Sequence, residues 1–178
     1  MKSSPATTWR TGAGRTALGV LCLALTACGS GSVAASSRVA ARVGDIEIID
    51  PYLPNPASPS VAAVYLTVRN TGSTPDALIG ASSAIAASAS LHTELVQGSY
   101  EVMVPLVRLD VSAHGQASLV PGHDHVMLEG LNQVLEVGQT VKVTLRFADA
   151  GQVAVPVLVV PLDSVVDGMG NMPGMGGT

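Results

Sequence analysis

Short runs in which hydrophobic and polar residues alternate divide the middle of the chain. The clearest run covers residues 140–147, where every second residue is Val, Leu or Phe. Side chains on a β-strand point alternately to opposite faces, so this spacing predicts a strand with one buried and one solvated face. A second alternating run predicts a strand over residues 61–70, and it ends at the turn-forming residues 70–75.

Seven further β-prone runs are separated by turn residues, and no long stretch shows helical periodicity. These runs predict an all-β domain over residues 43–165, built as an antiparallel sandwich or barrel. The Ala- and Ser-rich segment 81–90 suits either a short helix or an irregular pair of strands. The seven predicted strands cover residues 46–49, 77–79, 91–96, 100–104, 117–120, 125–128 and 153–160.

Residues 1–27 are predicted to be a secretory signal rather than part of this domain. Three basic residues precede an apolar run, 17–25, that is too short to span a bilayer. The sequence Leu-Thr-Ala-Cys at 25–28 resembles the bacterial lipobox, in which cleavage before the cysteine leaves it to carry a diacylglyceryl thioether. This predicts a protein held outside the cytoplasm, on the bacterial cell membrane, by a lipid on Cys28. An ordinary cleavage site that happens to contain a cysteine is the alternative.

Two low-complexity segments flank the predicted domain. Residues 28–42 are mostly Gly, Ser, Ala and Val, and they predict a flexible tether behind the lipid anchor. Residues 166–178 are rich in Gly and Met, have no periodic apolar face, and are expected to be disordered.

Charge and cysteine content narrow the possible functions. The chain has nine basic and thirteen acidic residues, and three of the basic ones lie in the predicted signal, so cleavage would leave a net charge of −7. Such a charge is unsuited to nucleic-acid binding. Cys22 leaves with the signal and Cys28 would be lipidated, so the domain is expected to contain neither a disulfide nor a free thiol.

Histidine and methionine recur within the domain at an ordered spacing. His92 is followed after ten residues by Met103, and after twenty-one more by His125, with Met127 two positions later. His125 and Met127 occupy positions i and i+2 of a predicted strand and therefore share a face. His92 and Met103 flank the turn at 97–99, so a hairpin would bring them to neighbouring strands or to the loop beyond. The four side chains are therefore candidates for one metal site.

Imidazole and thioether groups together form a soft set of ligands. Thioethers suit copper(I), whereas zinc prefers thiolate, imidazole or carboxylate, and calcium and magnesium prefer oxygen. Outside the cytoplasm thiolates tend to oxidise to disulfides, whereas a thioether cannot form one. The residue types and the compartment both favour copper(I).

The same spacing carries a family resemblance. The pattern His-x10-Met-x21-His-x-Met resembles the signature of the periplasmic copper chaperone family of the PCuAC type, which serves the CuA centre of cytochrome c oxidase. The resemblance extends over roughly residues 46–161. It implies a cupredoxin-like, immunoglobulin-like Greek-key fold and a copper(I) metallochaperone that is not an enzyme. It also implies the apo CuA domain of oxidase subunit II, or another copper-accepting protein, as the partner.

Other potential ligands stand apart from this pattern. The additional His123 departs from the usual family sequence and is either a spare ligand or an exposed loop residue. His114 lies in a predicted turn and is not assigned to the site. The tail is either an incidental flexible end or an arm that binds a second copper ion through three regularly spaced methionines: Met169, Met172 and Met175.

Several other functions compete with copper delivery. A surface lipoprotein could instead sequester excess copper, or act only in adhesion with an accidental His and Met pattern. An enzyme of the copper–zinc superoxide dismutase type is suggested by His123-x-His125, but four histidines are too few for its two-metal site. A blue-copper electron carrier requires a cysteine thiolate, which the predicted domain lacks.

Overall fold

The structure, a computed structural model, describes residues 37–98 and 100–165. These residues form eleven β-strands and a helical turn at 163–165. The predicted signal with Cys28, and the predicted tail with its three methionines, lie outside the described residues. The strands are β1 (Val39–Val43), β2 (Ile46–Pro54), β3 (Val61–Asn70), β4 (Asp76–Ser82), β5 (Ala86–Gln97), β6 (Tyr100–Pro105), β7 (Leu109–Val111), β8 (Gln116–Leu119), β9 (His125–Leu131), β10 (Thr140–Phe147) and β11 (Gln152–Val160).

The strands pair in the order β6-β5-β9-β3-β2-β11-β10-β4-β7, with β1 added beside β2 and β8 beside β3. Strand β3 joins the two parts of this sheet. Its first residues, from Val61 to Val64, pair with β9, and its later residues pair with β2 and β8. Among the described strands the pairs are antiparallel except for β2 and β11, which run parallel. The all-β prediction is therefore confirmed, with one parallel pair added.

One hydrophobic core is shared by both parts of the sheet. Leu91, Val126 and Leu128 from the β5–β9 side cluster with Val143 and Leu145 from the β10–β11 side. Strand β10 alternates buried and more exposed residues along its length, as the sequence pattern predicts. Strands β5 and β9 are thus packed against β10 and β11 through this core.

The strand predictions agree with the structure best where alternation is strongest. The predicted strands 61–70 and 140–147 match β3 and β10 at both ends. Segment 81–90, for which the sequence suited either a helix or a pair of strands, contains the end of β4, a turn at 83–85 and the start of β5. It is therefore a strand pair. The predicted turn at 97–99 connects β5 to β6, with Gly98 at a positive φ of 66°. The short strand β7 was not predicted.

The predicted tether extends four residues too far into the domain. Strand β1 begins at Val39 and pairs with β2, so residues 39–42 belong to the fold. Its Arg42 contacts the buried Glu47 of β2, which also accepts a hydrogen bond of 2.7 Å from Arg69 Nε. This hydrogen bond, together with the charge of Arg42, lowers the pKa of Glu47 despite burial. A small-residue composition did not reveal this pairing.

A buried carboxylate attaches the β10–β11 turn to β4. Asp76 accepts hydrogen bonds from the backbone N–H groups of Ala77, Asp149 and Ala150 at 2.7, 3.0 and 3.0 Å. Burial opposes ionisation of this group, but the backbone N–H donors hold the pKa of Asp76 below its usual value. The interaction fixes the end of β10 against β4.

Candidate metal centre

Three neighbouring strands bring the four predicted ligands to one face of the sheet. His92 of β5 is the direct cross-strand partner of His125 in β9, and Met127 follows two residues later on the same face. In β6, Met103 is the partner of Glu94, which lies two residues beyond His92. Directly opposed residues, and residues two apart on one strand, share a face. The predicted hairpin is confirmed, and it places Met103 on the same face as the other three residues.

His125 is held in a defined tautomer. Its side chain is 1% exposed, and Nδ1 lies 3.0 Å from the backbone carbonyl oxygen of His123. A carbonyl oxygen can only accept, so Nδ1 carries the proton and donates it. The lone pair is therefore on Nε2, which is buried and has no hydrogen-bond partner in the described part of the chain. An unpaired buried nitrogen is costly unless something else binds it.

His92 has the complementary arrangement. Its Nε2 lies 3.1 Å from the hydroxyl oxygen of Ser90, two residues earlier on β5. Its Nδ1 is buried and, among residues 37–98 and 100–165, has no hydrogen-bond partner. The ring centroids of His92 and His125 are 6.0 Å apart. Two imidazoles thus lie side by side, each with one nitrogen paired and one free.

An open cleft of about 330 Å³ lies over this face. Met103, His125 and Met127 line it, whereas His92 lies beside His125 and does not line the cleft itself. Met103 is 53% exposed on β6, and Met127 is partly buried. The walls are formed by the loop that follows β2 and by Leu162, which follows β11. The cleft gives access from solvent to both thioethers.

Two polar residues of the cleft were not found from the sequence. Glu94 has a carboxylate oxygen 3.9 Å from His125 Nδ1. Tyr65 has its ring centroid 6.2 Å from that of His125, and burial, with the nearby charge of Glu94, raises the pKa of its hydroxyl to about 12. The Tyr65 hydroxyl therefore stays protonated at neutral pH. Strand alternation could have indicated the glutamate, since Glu94 lies two residues after His92 on one strand.

The remaining histidines contribute differently. The side chain of His123 is exposed, and the contact that this residue makes to the site is through its backbone carbonyl. His114 is exposed in the turn between β7 and β8, at a positive φ of 53°. Within the described residues, no three His, Cys, Asp or Glu side chains are grouped so that they could hold a metal ion.

A family model described as "Putative lipoprotein LpqE-like" matches residues 46–159. The chain belongs to the LpqE-like family. The matched segment runs from the first residue of β2 almost to the end of β11, so it contains all four predicted ligands. A protein of Leifsonia xyli subsp. xyli, described as "Putative lipoprotein Lxx21020", is 32% identical over 145 residues, which is 80% of this chain and 87% of that protein. Both names agree with the lipoprotein prediction.

Solved structures similar to this LpqE-like chain include a "Copper-bound PCuAC domain from PmoF2". It is 28% identical, with a TM-score of 0.57, and the match covers 67% of this chain and 96% of that domain. The apo form of the PmoF2 domain gives 27% identity and a TM-score of 0.58 over 70% and 97% of the two chains. Copper(I)-bound DR1885 from Deinococcus radiodurans is 29% identical, with a TM-score of 0.50, and the match covers 74% of this chain and 85% of that chain. These matches confirm the predicted PCuAC-type resemblance and the cupredoxin-like fold.

Within residues 37–98 and 100–165, no helical segment has the length and apolar character needed to cross a bilayer.

Proposed function

We propose that this LpqE-like protein binds one copper(I) ion through His92, Met103, His125 and Met127. The observation that carries the proposal is the pair of buried imidazole nitrogens, His92 Nδ1 and His125 Nε2, that have no hydrogen-bond partner within the described residues. They lie on the same face as two methionines. A metal ion that accepts their lone pairs would remove the cost of burying them unpaired.

The ligand types favour copper(I) over other metals. Two imidazoles and two thioethers suit a soft, monovalent ion, whereas calcium and magnesium prefer oxygen ligands. The solved relatives are consistent with this choice, since a PmoF2 domain is described as copper-bound and DR1885 as copper(I)-bound. Copper is the cargo of the protein in this proposal, and no reaction is catalysed.

The proposed role is delivery of copper outside the cytoplasm. A lipid on Cys28 would anchor the chain to the bacterial membrane, and the proposed recipient is the apo CuA domain of cytochrome c oxidase subunit II. The partly exposed Met103 supports a site whose ligands can be exchanged, because an incoming donor can reach copper from that side. His123 and the tail methionines Met169, Met172 and Met175 remain auxiliary candidates in this proposal.

Anaerobic titration with copper(I) against a chromogenic chelator tests the site. We expect one tightly bound equivalent of copper(I). His125→Ala and Met103→Ala should each lower the copper affinity at least about tenfold, since removing a residue that only hydrogen-bonds to a metal ligand already has an effect of that size. His114→Ala, in an exposed turn, is the matched control and should bind as the wild type does. A chain ending at Val165 should keep this equivalent and lose any second one held by the tail. Wild-type affinity in both ligand variants would refute the assignment.

Copper transfer to a purified apo CuA domain separates delivery from storage. The loaded protein is expected to pass its copper to that domain, and cells lacking the protein are expected to show reduced oxidase activity. Absence of transfer together with normal oxidase activity would contradict delivery and favour sequestration.

A further inference from the structure

The β5–β6 hairpin extends beyond the strand that carries His125. Strand β9 begins at His125, opposite His92, so residues 93–97 of β5 have β6 as their only partner among the described strands. Strand β6 is itself the end of the sheet order. Residues 93–97 and 100–104 therefore form a two-stranded ribbon, which we call the hairpin tip. Isolated two-stranded ribbons have little stability of their own in water.

The hairpin tip exposes an unusual number of large apolar side chains. Val96 and Tyr100 are 76% and 77% exposed, and Leu95 and Val102 are 45% and 37% exposed. The register places Leu95, Val102 and Tyr100 on one face of the ribbon and Val96 with Met103 on the other. An apolar patch that surrounds an end strand is typical of a surface that binds another protein.

One face of the hairpin tip continues the proposed copper site, because Val96 and Met103 lie on the same face as His92. The exposed side chains of the other face border it across the ribbon. Met103 is 53% exposed and belongs to the hairpin tip, whereas His125 is 1% exposed. Copper moves between proteins by exchange of ligands, so a donor of the acceptor has to approach the metal closely. The exposed thioether is on the hairpin tip, and an acceptor that reaches copper from that side would cover the tip.

The surrounding charge indicates what kind of surface would bind there. Between Arg69 and Lys142 the sequence contains a single basic residue, Arg108, and its guanidinium pairs with Asp110. The same stretch carries all of β4 to β9. Glu94 lies in the cleft. A complementary partner would combine an apolar patch with Lys or Arg at its rim.

We propose that the hairpin tip is the docking surface for the copper-accepting protein, and that this acceptor presents an apolar patch bordered by basic residues. The inference rests on the proposed copper delivery. Docking brings the acceptor's donor to Met103, where exchange begins. Attraction between the Glu94 carboxylate and the basic rim accelerates the encounter.

The double variant Val96→Thr with Tyr100→Thr tests this surface, because it keeps β-forming residues in the ribbon while removing the apolar area. The full-length chain is loaded with one copper(I), and the rate of transfer is measured to an apo CuA domain and, separately, to bicinchoninate. Transfer to the protein should slow by at least about tenfold, as truncation of an aromatic interface anchor predicts. Removal by the small chelator should remain at the wild-type rate, which also verifies that the variant is folded.

Two exposed valines elsewhere provide the matched control. Val134 and Val137 are 78% and 52% exposed in the loop before β10, and Val134→Thr with Val137→Thr should transfer copper as the wild type does. Equal rates for the hairpin and control variants would overturn the docking surface while leaving copper delivery intact. No transfer by the wild type would overturn both proposals. Raising the ionic strength should slow wild-type transfer to the domain, and a salt-independent rate would overturn the basic rim.

Discussion

His92 and His125 present different nitrogens to the same site because different groups hold their rings. The carbonyl of His123 fixes Nδ1 of His125, and the hydroxyl of Ser90 lies at Nε2 of His92. For copper to bind at His92 Nδ1, Nε2 has to carry the proton and donate it to Ser90. In the proposed site Ser90 would therefore be a positioning residue, since it would act on copper only through the imidazole of His92.

Replacing Ser90 by Ala should weaken copper(I) binding by about tenfold, because His92 would lose the hydrogen-bond partner that holds its ring at Nε2. Chelator competition measures the affinity, and nitrogen chemical shifts of the His92 ring report its tautomer. Ser88→Ala is the control, since Ser88 lies on the same face of β5 and its hydroxyl donates to Glu129 instead. Unchanged affinity and ring shifts in Ser90→Ala would show that the hydroxyl does not position His92.

At the level of elements, the register of β5 with its two neighbours creates the site. Alternation in the sequence predicted that His125 and Met127 share a face, because that depends on one strand alone. The same argument applies to Glu94, which lies two residues after His92 on β5, but its pairing with Met103 depends on the register of β6 and could not be predicted. Strand β1 was missed for another reason: its five residues do not alternate clearly between buried and exposed, although its partner β2 follows directly in the sequence.

Asp76 links two elements and makes folding sensitive to acid. The pKa of Asp76 is lowered in the folded protein, so its contribution to stability is present above the unfolded-state pKa and is lost as the pH falls through the folded-state value. Asp76→Ala should reduce the free energy of unfolding by about 1–3 kcal/mol at neutral pH, because backbone N–H donors lose their acceptor. Urea unfolding of the wild type and the variant at several pH values measures this difference in free energy. If the variant were as stable as the wild type and lost stability in acid to the same extent, Asp76 would not link the two elements as described.

At the scale of the whole molecule, the sequence predicted an all-β domain and the positions of its main strands along the chain. It could do so because the core strands alternate strongly and turn residues separate them. It could not predict that β2 and β11 run parallel, or that β3 serves both parts of the sheet, because these depend on long-range pairing. The four-residue spacing predicted four candidate ligands, whereas the contacts of Ser90, Glu94 and Tyr65 with the two histidines became visible only once the strands were placed.

The four-ligand site is tested most directly by X-ray absorption at the copper edge. The protein is loaded anaerobically with one equivalent of copper(I), and the scattering shell around the metal is counted. Ligation by His92, Met103, His125 and Met127 predicts two nitrogen and two sulfur scatterers. A shell made only of nitrogen and oxygen, or one unchanged when Met103 and Met127 are both replaced by Ala, would contradict the site.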